Sequence, residues 1–253
     1  MFGEKKQSAW YFDSSIHLEA FSRLLYLIEV GEPFGVICGP DGSGRTRILN
    51  RLREEAERIG KQVISLNLAG LDEDTALAEF ATCVTSSARR NMPRHQLICA
   101  LRDEMAGRAH CNSHTVLMLD DLHRAQSDME SFLRVLTALN AGGQGKLTVI
   151  VASDRPLENG LSLESLLQIR LTALDVAESS DFVRSLVRRH GVPTAAIDET
   201  AIRAIHELSR GNTARMARVC ELIGILHEAS PGVHVSADTV SAVMNELTPR
   251  AVA

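Results

Sequence analysis

Phe34-Gly35-Val36-Ile37-Cys38 runs directly into Gly39-Pro40-Asp41-Gly42-Ser43-Gly44-Arg45-Thr46, and this stretch decides the fold. The first five residues are an unbroken apolar run, the sequence form of a short strand buried on both faces. The next eight make a glycine-rich turn. Glycines at 39, 42 and 44 let the backbone curl so that several N–H groups point inward at one anion. Beyond it, Thr46–Ile59 places Ile48, Leu49, Leu52, Ala56 and Ile59 on one helical face, and Gly60 stops the run. Strand, glycine-rich turn and helix N-terminus in that order are the setting of a phosphate-binding loop, with the helix dipole adding positive charge at the anion. The Thr46 hydroxyl stands where a Mg²⁺ ligand belongs. A dinucleotide fingerprint fails, because Gly42-x-Gly44-x-x lands on Arg47. The usual loop lysine is replaced by Arg45, a planar fork that is always charged. It keeps the phosphate-binding charge and distributes it differently, so hydrolysis is expected to be weakened. If Arg45 is a compromised lysine, Arg45→Lys raises turnover. If the pocket has adapted to the fork, the same change lowers it.

Working outward, the first two thirds of the chain alternate between apolar runs and helical patterns. Val63–Leu68, Thr115–Leu119 and Leu147–Ala152 read as further strands, and residues 16–30, 72–90, 94–106 and 127–140 as helices. Such alternation predicts an α/β fold with a parallel sheet flanked by helices. After about residue 173 only helical patterns remain, over 177–190, 198–209, 214–229 and 236–247. The expected organisation is an α/β domain over 1–172 and a small all-helical domain over 173–253.

Composition narrows the class. With 253 residues, 45% of them hydrophobic and 23% charged, the chain can bury a large core and is neither disordered nor low-complexity. A net charge of −5 opposes a dedicated nucleic-acid binder. The helical part nevertheless carries Arg184, Arg188, Arg189, Arg203, Arg210, Arg215 and Arg218, which read as a solvated face or a DNA surface. Cys38, Cys83, Cys99, Cys111 and Cys220 are scattered and odd in number, the pattern of free thiols in a reducing compartment. His95, Cys99, His110, Cys111 and His114 match no zinc spacing. The N-terminal residues show no signal peptide and no run spans a bilayer, so a cytoplasmic protein is expected.

Thr115-Val116-Leu117-Met118-Leu119-Asp120-Asp121 carries the second chemical signal. An apolar strand that ends in two acids is costly unless the acids meet a cation or partners. Beside a phosphate loop, Asp120 would lie near Thr46 and hold Mg²⁺, and Asp121 would polarise an attacking water. The strand at 147–152 ends in Ser153-Asp154-Arg155, where a polar side chain could contact that water or a terminal phosphate.

Together these pieces resemble the AAA+ branch of the P-loop NTPases. More narrowly, the chain is similar to the secretion pathway protein A (ExeA-type) ATPases and to transposition regulators of the TniB and MuB kind. The likeness rests on Tyr11-Phe12-x-Ser14-x-x-His17-x-Glu19-Ala20, Gly31-Glu32-x-Phe34-Gly35-Val36-Ile37-x-Gly39, the phosphate loop, the paired acids, and Leu171-x-x-Leu174 leading into Glu178-x-x-x-Phe182. It implies ATP bound with Mg²⁺ between the sheet's C-terminal edge and a helical lid. Gly39, Pro40, Asp41, Gly42, Ser43, Gly44, Arg45, Thr46 and Arg47 would hold the triphosphate. Thr46 and Asp120 would hold the metal, and Asp121 would be the catalytic acid, where the family usually has Glu. Ser153 and Arg215 are candidate sensors, although Gly211-Asn212-Thr213-Ala214-Arg215 lacks the family's Pro and shifts its Arg by one. Gln168-Ile169-Arg170 departs from the usual Gln-Arg-Ile, which leaves an arginine finger unassigned. Tyr11 and Phe12 would flank the adenine. The implied activity is ATP hydrolysis that drives lid motion, self-assembly into a homo-oligomer, or work on a protein partner. Two rivals stand beside it: a nucleotide-dependent switch or scaffold that does not hydrolyse, and a DNA-associated transposition regulator.

Overall fold

A five-stranded parallel sheet organises the first part of the chain. The strands are β1 (Phe34–Cys38), β2 (Gln62–Asn67), β3 (Thr115–Asp120), β4 (Leu147–Ser153) and β5 (Leu167–Arg170), in the spatial order β2-β3-β4-β1-β5. The computed structural model describes residues 14–127, 129–140, 147–157, 167–230 and 232–247. Tyr11 and Phe12 lie outside them. Register is set by pairs such as Phe34↔Val149, Gly35↔Leu167 and Gln62↔Thr115. Because β1, β3 and β4 are central, they are buried along nearly their whole length, which is why they read as unbroken apolar runs.

Helices cover both faces of this sheet. Phe34, Val36, Leu117, Leu119, Val149 and Val151 point to one face and share a core with α3 (Glu73–Val84), α4 (Arg94–His110) and α5 (Glu130–Asn140). Phe80 and Phe132 are completely buried there, each burial stabilising by about 1.5–3 kcal/mol. The opposite face takes α2 (Arg45–Arg58), and α1 (Ser15–Val30) through Leu24 and Leu27 beside Gly35. Gly35 is small for a reason on that side: a Cβ there would lie 3.0 Å from Leu27 and 3.2 Å from Leu24 of α1.

Several elements differ from the sequence expectation. The helix expected over 94–106 runs on to His110, and the one expected over 127–140 begins at Glu130. The helix expected over 72–90 stops at Val84, because Thr85 is extended and its N–H bonds back to Ala81 O. The strand β5 is an edge strand with one buried side chain, Ile169, and so lacks the apolar run that marks the others.

The chain divides into two units. One comprises Ile16–Asp41 and Arg45–Leu171 and holds the sheet; the other runs from Thr172 and includes Ser15 and Gly42–Gly44. The second unit contains α6 (Val176–Arg189), α7 (Glu199–Ser209), α8 (Thr213–Ala229) and α9 (Ala237–Leu247). Asp175, Asp198 and Asn212 cap α6, α7 and α8, each side chain accepting from a backbone N–H three residues on. Phe182, Val183, Ile205, Met216, Val219 and Ile223 form its buried interior. Gly211 is in left-handed backbone at φ 68°, and a Cβ there would sit 2.3 Å from Leu174 O. Within this unit Gly42 O accepts from Thr213 Oγ1 at 2.6 Å and from Ala214 N at 3.1 Å.

Candidate functional site

All strands of the sheet are parallel, so Cys38, Asn67, Asp120 and Ser153 end their strands along one edge. Ligands of open α/β sheets bind at such C-terminal edges. The loop Gly39–Gly44 leaves β1 here and enters α2 at Arg45. Gly42 and Gly44 have φ of 78° and 100°. A side chain at either would strain that backbone, and the left-handed steps are what curl successive N–H groups toward one point. Pro40 and Asp41 are exposed, as are Thr46 and Arg47 in the first turn of α2, while Gly39 and Ser43 are buried.

Arg45 behaves unlike a solvated loop cation. Its side chain is only 6% exposed. Nη1 donates to Gly39 O and, at 2.9 Å, to Ser153 O. Nη2 donates to Asp41 Oδ1 at 3.0 Å. The guanidinium therefore bridges the ends of β1 and β4 from inside the loop. Gly39 N also donates to Ser153 O at 3.2 Å, so that carbonyl closes the base of the loop. Ser153 takes part through its carbonyl, while its hydroxyl lies 3.4 Å from Asp154.

The acids meet the loop as their spacing suggests. Thr46 Oγ1 donates to Asp120 Oδ2 at 2.7 Å. Asp120 Oδ1 accepts from the Asp121 N–H at 2.9 Å. Asp121 is left-handed (φ 55°, ψ 37°), which ends β3 and starts a 3-10 turn over Leu122–Arg124. Its carboxylate accepts from Asn67 Nδ2 at 3.1 Å. Asn67 is itself fixed, since its Oδ1 accepts from Ala69 N at 2.8 Å.

Three residues join the site that the motifs did not single out. Asn67 is the polar residue closing β2, in register with Asp120; its place at the C-terminal end of an apolar run was the available signal. His123 Nε2 lies 3.4 Å from Asp41 Oδ1. Arg124 Nη2 donates to Asp41 Oδ2 at 2.7 Å. The Arg124 hydrogen bond, ahead of the Arg45 contacts, holds the Asp41 carboxyl below its ordinary value of 3.8, and Asp41 in turn raises Arg124. No local sequence pattern marks the histidine or the arginine, because both reach Asp41 across more than 80 residues of chain.

Arg215 lies in the first turn of α8, exposed, with its N–H bound by the Asn212 cap at 3.0 Å. His114 is buried and bonds Thr148 Oγ1 at 2.9 Å, a packing role. Among the described residues, no group of three His, Cys, Asp or Glu side chains is placed to hold a metal, and no helix is long and apolar enough to cross a membrane.

The AAA domain family model matches residues 28–161, just over half of the chain, and the protein belongs to that family. Solved structures agree on the fold. The Holliday junction branch migration motor RuvB of Thermotoga maritima superposes with a TM-score of 0.63 at 16% identity, covering 93% of this chain and 70% of that one. Cdc6p from Pyrobaculum aerophilum gives 0.71 at 16% identity, covering 94% and 69%. A chain of the Drosophila ORC bound to DNA gives 0.68 at 15% identity, covering 91% of this chain; this chain spans 60% of it. No curated protein sequence matches. At these identities the likeness establishes a P-loop sheet flanked by helices with further C-terminal helices, the AAA+ fold.

Proposed function

We propose that the protein binds Mg-ATP on the Gly39–Arg47 loop and hydrolyses it to drive a conformational change or assembly with a partner. The observation that carries this is the 2.7 Å hydrogen bond between Thr46 Oγ1 and Asp120 Oδ2 at the N-terminus of α2. A hydroxyl and a carboxylate held together beside a curled run of N–H groups suit a divalent cation on a polyphosphate. Thr46 and Asp120 would hold Mg²⁺, which neutralises phosphate charge when bound. The N–H groups of the loop would hold the phosphates, and the α2 dipole would favour them. Asp121 would take the proton of the attacking water, with the Asn67 amide fixing its carboxylate in orientation. The net charge of −5 favours a protein partner, including further copies of this chain, over DNA. The motif likeness to secretion-type and transposition-type ATPases leaves both of those settings open to the same chemistry.

Thermal shift and turnover test this. Mg-ATP at about 100 times its Kd should add roughly 2.7 kcal/mol of stability. Thr46→Ala should lose much of the Mg²⁺-dependent part. Asp121→Asn should keep the shift and lower turnover by roughly 10²–10⁴-fold. A wild-type protein with no shift at millimolar ATP overturns the proposal. One observation supports a second reading, a nucleotide switch without hydrolysis: Arg45 is committed to backbone carbonyls. Equal background turnover in wild type and Asp121→Asn, with ATP still bound, would decide for the switch.

A further inference from the structure

Two guanidiniums meet one carboxylate at the phosphate loop, and they are not alike. Arg45 is buried, and three hydrogen bonds to Gly39 O, Ser153 O and Asp41 fix it at the base of the loop. Arg124 is 52% exposed. Its backbone is anchored on both sides, N to Asp121 O at 2.9 Å and O from Gly70 N at 2.9 Å. Its side chain reaches two carboxylates, Asp41 Oδ2 at 2.7 Å and Asp121 Oδ1 at 4.0 Å. A half-exposed arginine on an exposed aspartate adds little to stability. What the pair does is hold a positive charge at the rim of the loop, beside the proposed general base. The Arg45 side chain, already engaged inside the loop, cannot move to a new anion without breaking its bonds to Gly39 O and Ser153 O. The Arg124 side chain breaks one exposed bond to do so. A terminal phosphate carries more charge than a carboxylate and offers the same paired oxygens to a planar fork.

We propose that Arg124 contacts the outermost phosphate of a bound nucleoside triphosphate, and that Asp41 holds Arg124 until the nucleotide arrives; the inference rests on the nucleotide-binding reading above. Arg45 is then the strut of the loop. Arg124 supplies the mobile positive charge that a loop lysine would otherwise bring. Asp41 is kept ionised by its two arginines, so the exchange is of one anion for another.

The test compares equilibrium binding of Mg-ATP and Mg-ADP to wild type, Arg124→Ala, Arg124→Lys and Asp41→Asn. Because the Arg124 side chain is half exposed, Arg124→Ala should melt within a few degrees of wild type, and the melt is measured alongside. Arg124→Ala should weaken ATP binding roughly 10- to 100-fold, the worth of a hydrogen bond between charged groups, and ADP binding less than about threefold. Arg124→Lys should recover part of the ATP loss. Asp41→Asn should tighten ATP binding severalfold by removing the competing anion. An unchanged ratio of ATP to ADP affinity in Arg124→Ala overturns the contact, and weaker ATP binding in Asp41→Asn overturns the holding role. Wild type that binds neither nucleotide overturns the nucleotide reading and this inference with it. Wild type that binds both, with the ratio unmoved in Arg124→Ala, overturns this inference alone.

Discussion

Arg45→Lys keeps the charge of the phosphate loop and removes its fork, and the structure says what that should cost. Three hydrogen bonds leave the guanidinium. The one to Asp41 joins an exposed carboxylate and adds little. Ser153 O also accepts from Gly39 N, so it keeps a partner in the variant. The loss therefore falls on Gly39 O, a buried carbonyl bonded by a charged donor. A lysine ammonium is a point charge on a different stem and cannot span both carbonyls as the fork does. One charged hydrogen bond is worth about 1.5–3 kcal/mol. For a chain of this size each kcal/mol moves the melting midpoint by about 2–4 °C, which gives a fall of roughly 3–12 °C. The assay is a nucleotide-free melt followed by circular dichroism, with Arg45→Ala as the larger perturbation. Turnover should fall with the midpoint, since the loop is built around the guanidinium. An Arg45→Lys protein that melts at or above wild type and hydrolyses ATP faster would refute the strut, and would make Arg45 a poor lysine.

Other outcomes follow from the same geometry. Cys83, Cys99 and Cys111 are exposed and should react at once with a thiol reagent in the native protein, whereas Cys38 and Cys220 should react only on unfolding; five immediate thiols would contradict the burial. Burial pushes the Cys220 thiol from 9.0 up to about 12. The folded state thus favours the protonated thiol, so its contribution is complete below pH 9 and is lost as pH rises from 9 towards 12, which should appear as a falling alkaline melting midpoint that Cys220→Ala lessens. Gly211→Ala sets a Cβ 2.3 Å from Leu174 O in left-handed backbone. It should destabilise by about 2–4 kcal/mol, and a midpoint unchanged from wild type would show that the 173–174 segment yields.

Sequence pattern revealed most where burial was heaviest. The strands β1, β3 and β4 are covered on both faces, so their apolar runs were unmistakable, and the loop and paired acids could be placed against them. In the second unit, α6 and α7 carry aspartate caps followed by strong amphipathic patterns, while α8 carries an asparagine cap and a weaker one. The edge strand β5 did not, because a four-residue strand with one buried side chain has no periodicity to read. At the site, the loop–acid pairing of Thr46 with Asp120 follows from motif spacing. The ring of contacts around Asp41 does not, since Arg124 and His123 reach it only through the sheet's topology. Nor does the inward turn of Arg45, which depends on two carbonyls brought side by side by the pairing of β1 with β4.

The left-handed backbone at Asp121 bears on which acids this position can accept. Among residues with a Cβ, aspartate and asparagine enter that conformation most readily, because their short polar side chains bond locally. A glutamate here would carry the carboxylate one methylene further and would have to accept about 1–2 kcal/mol of backbone strain. The shorter acid, where the resembling families carry Glu, is thus the one that suits the turn. Substitution at 121 has a narrow corridor: aspartate, asparagine and glycine keep the turn, and of these only aspartate keeps a carboxylate. To lengthen the acid by engineering, the Leu122–Arg124 turn would have to be rebuilt first, and Arg124 would move with it.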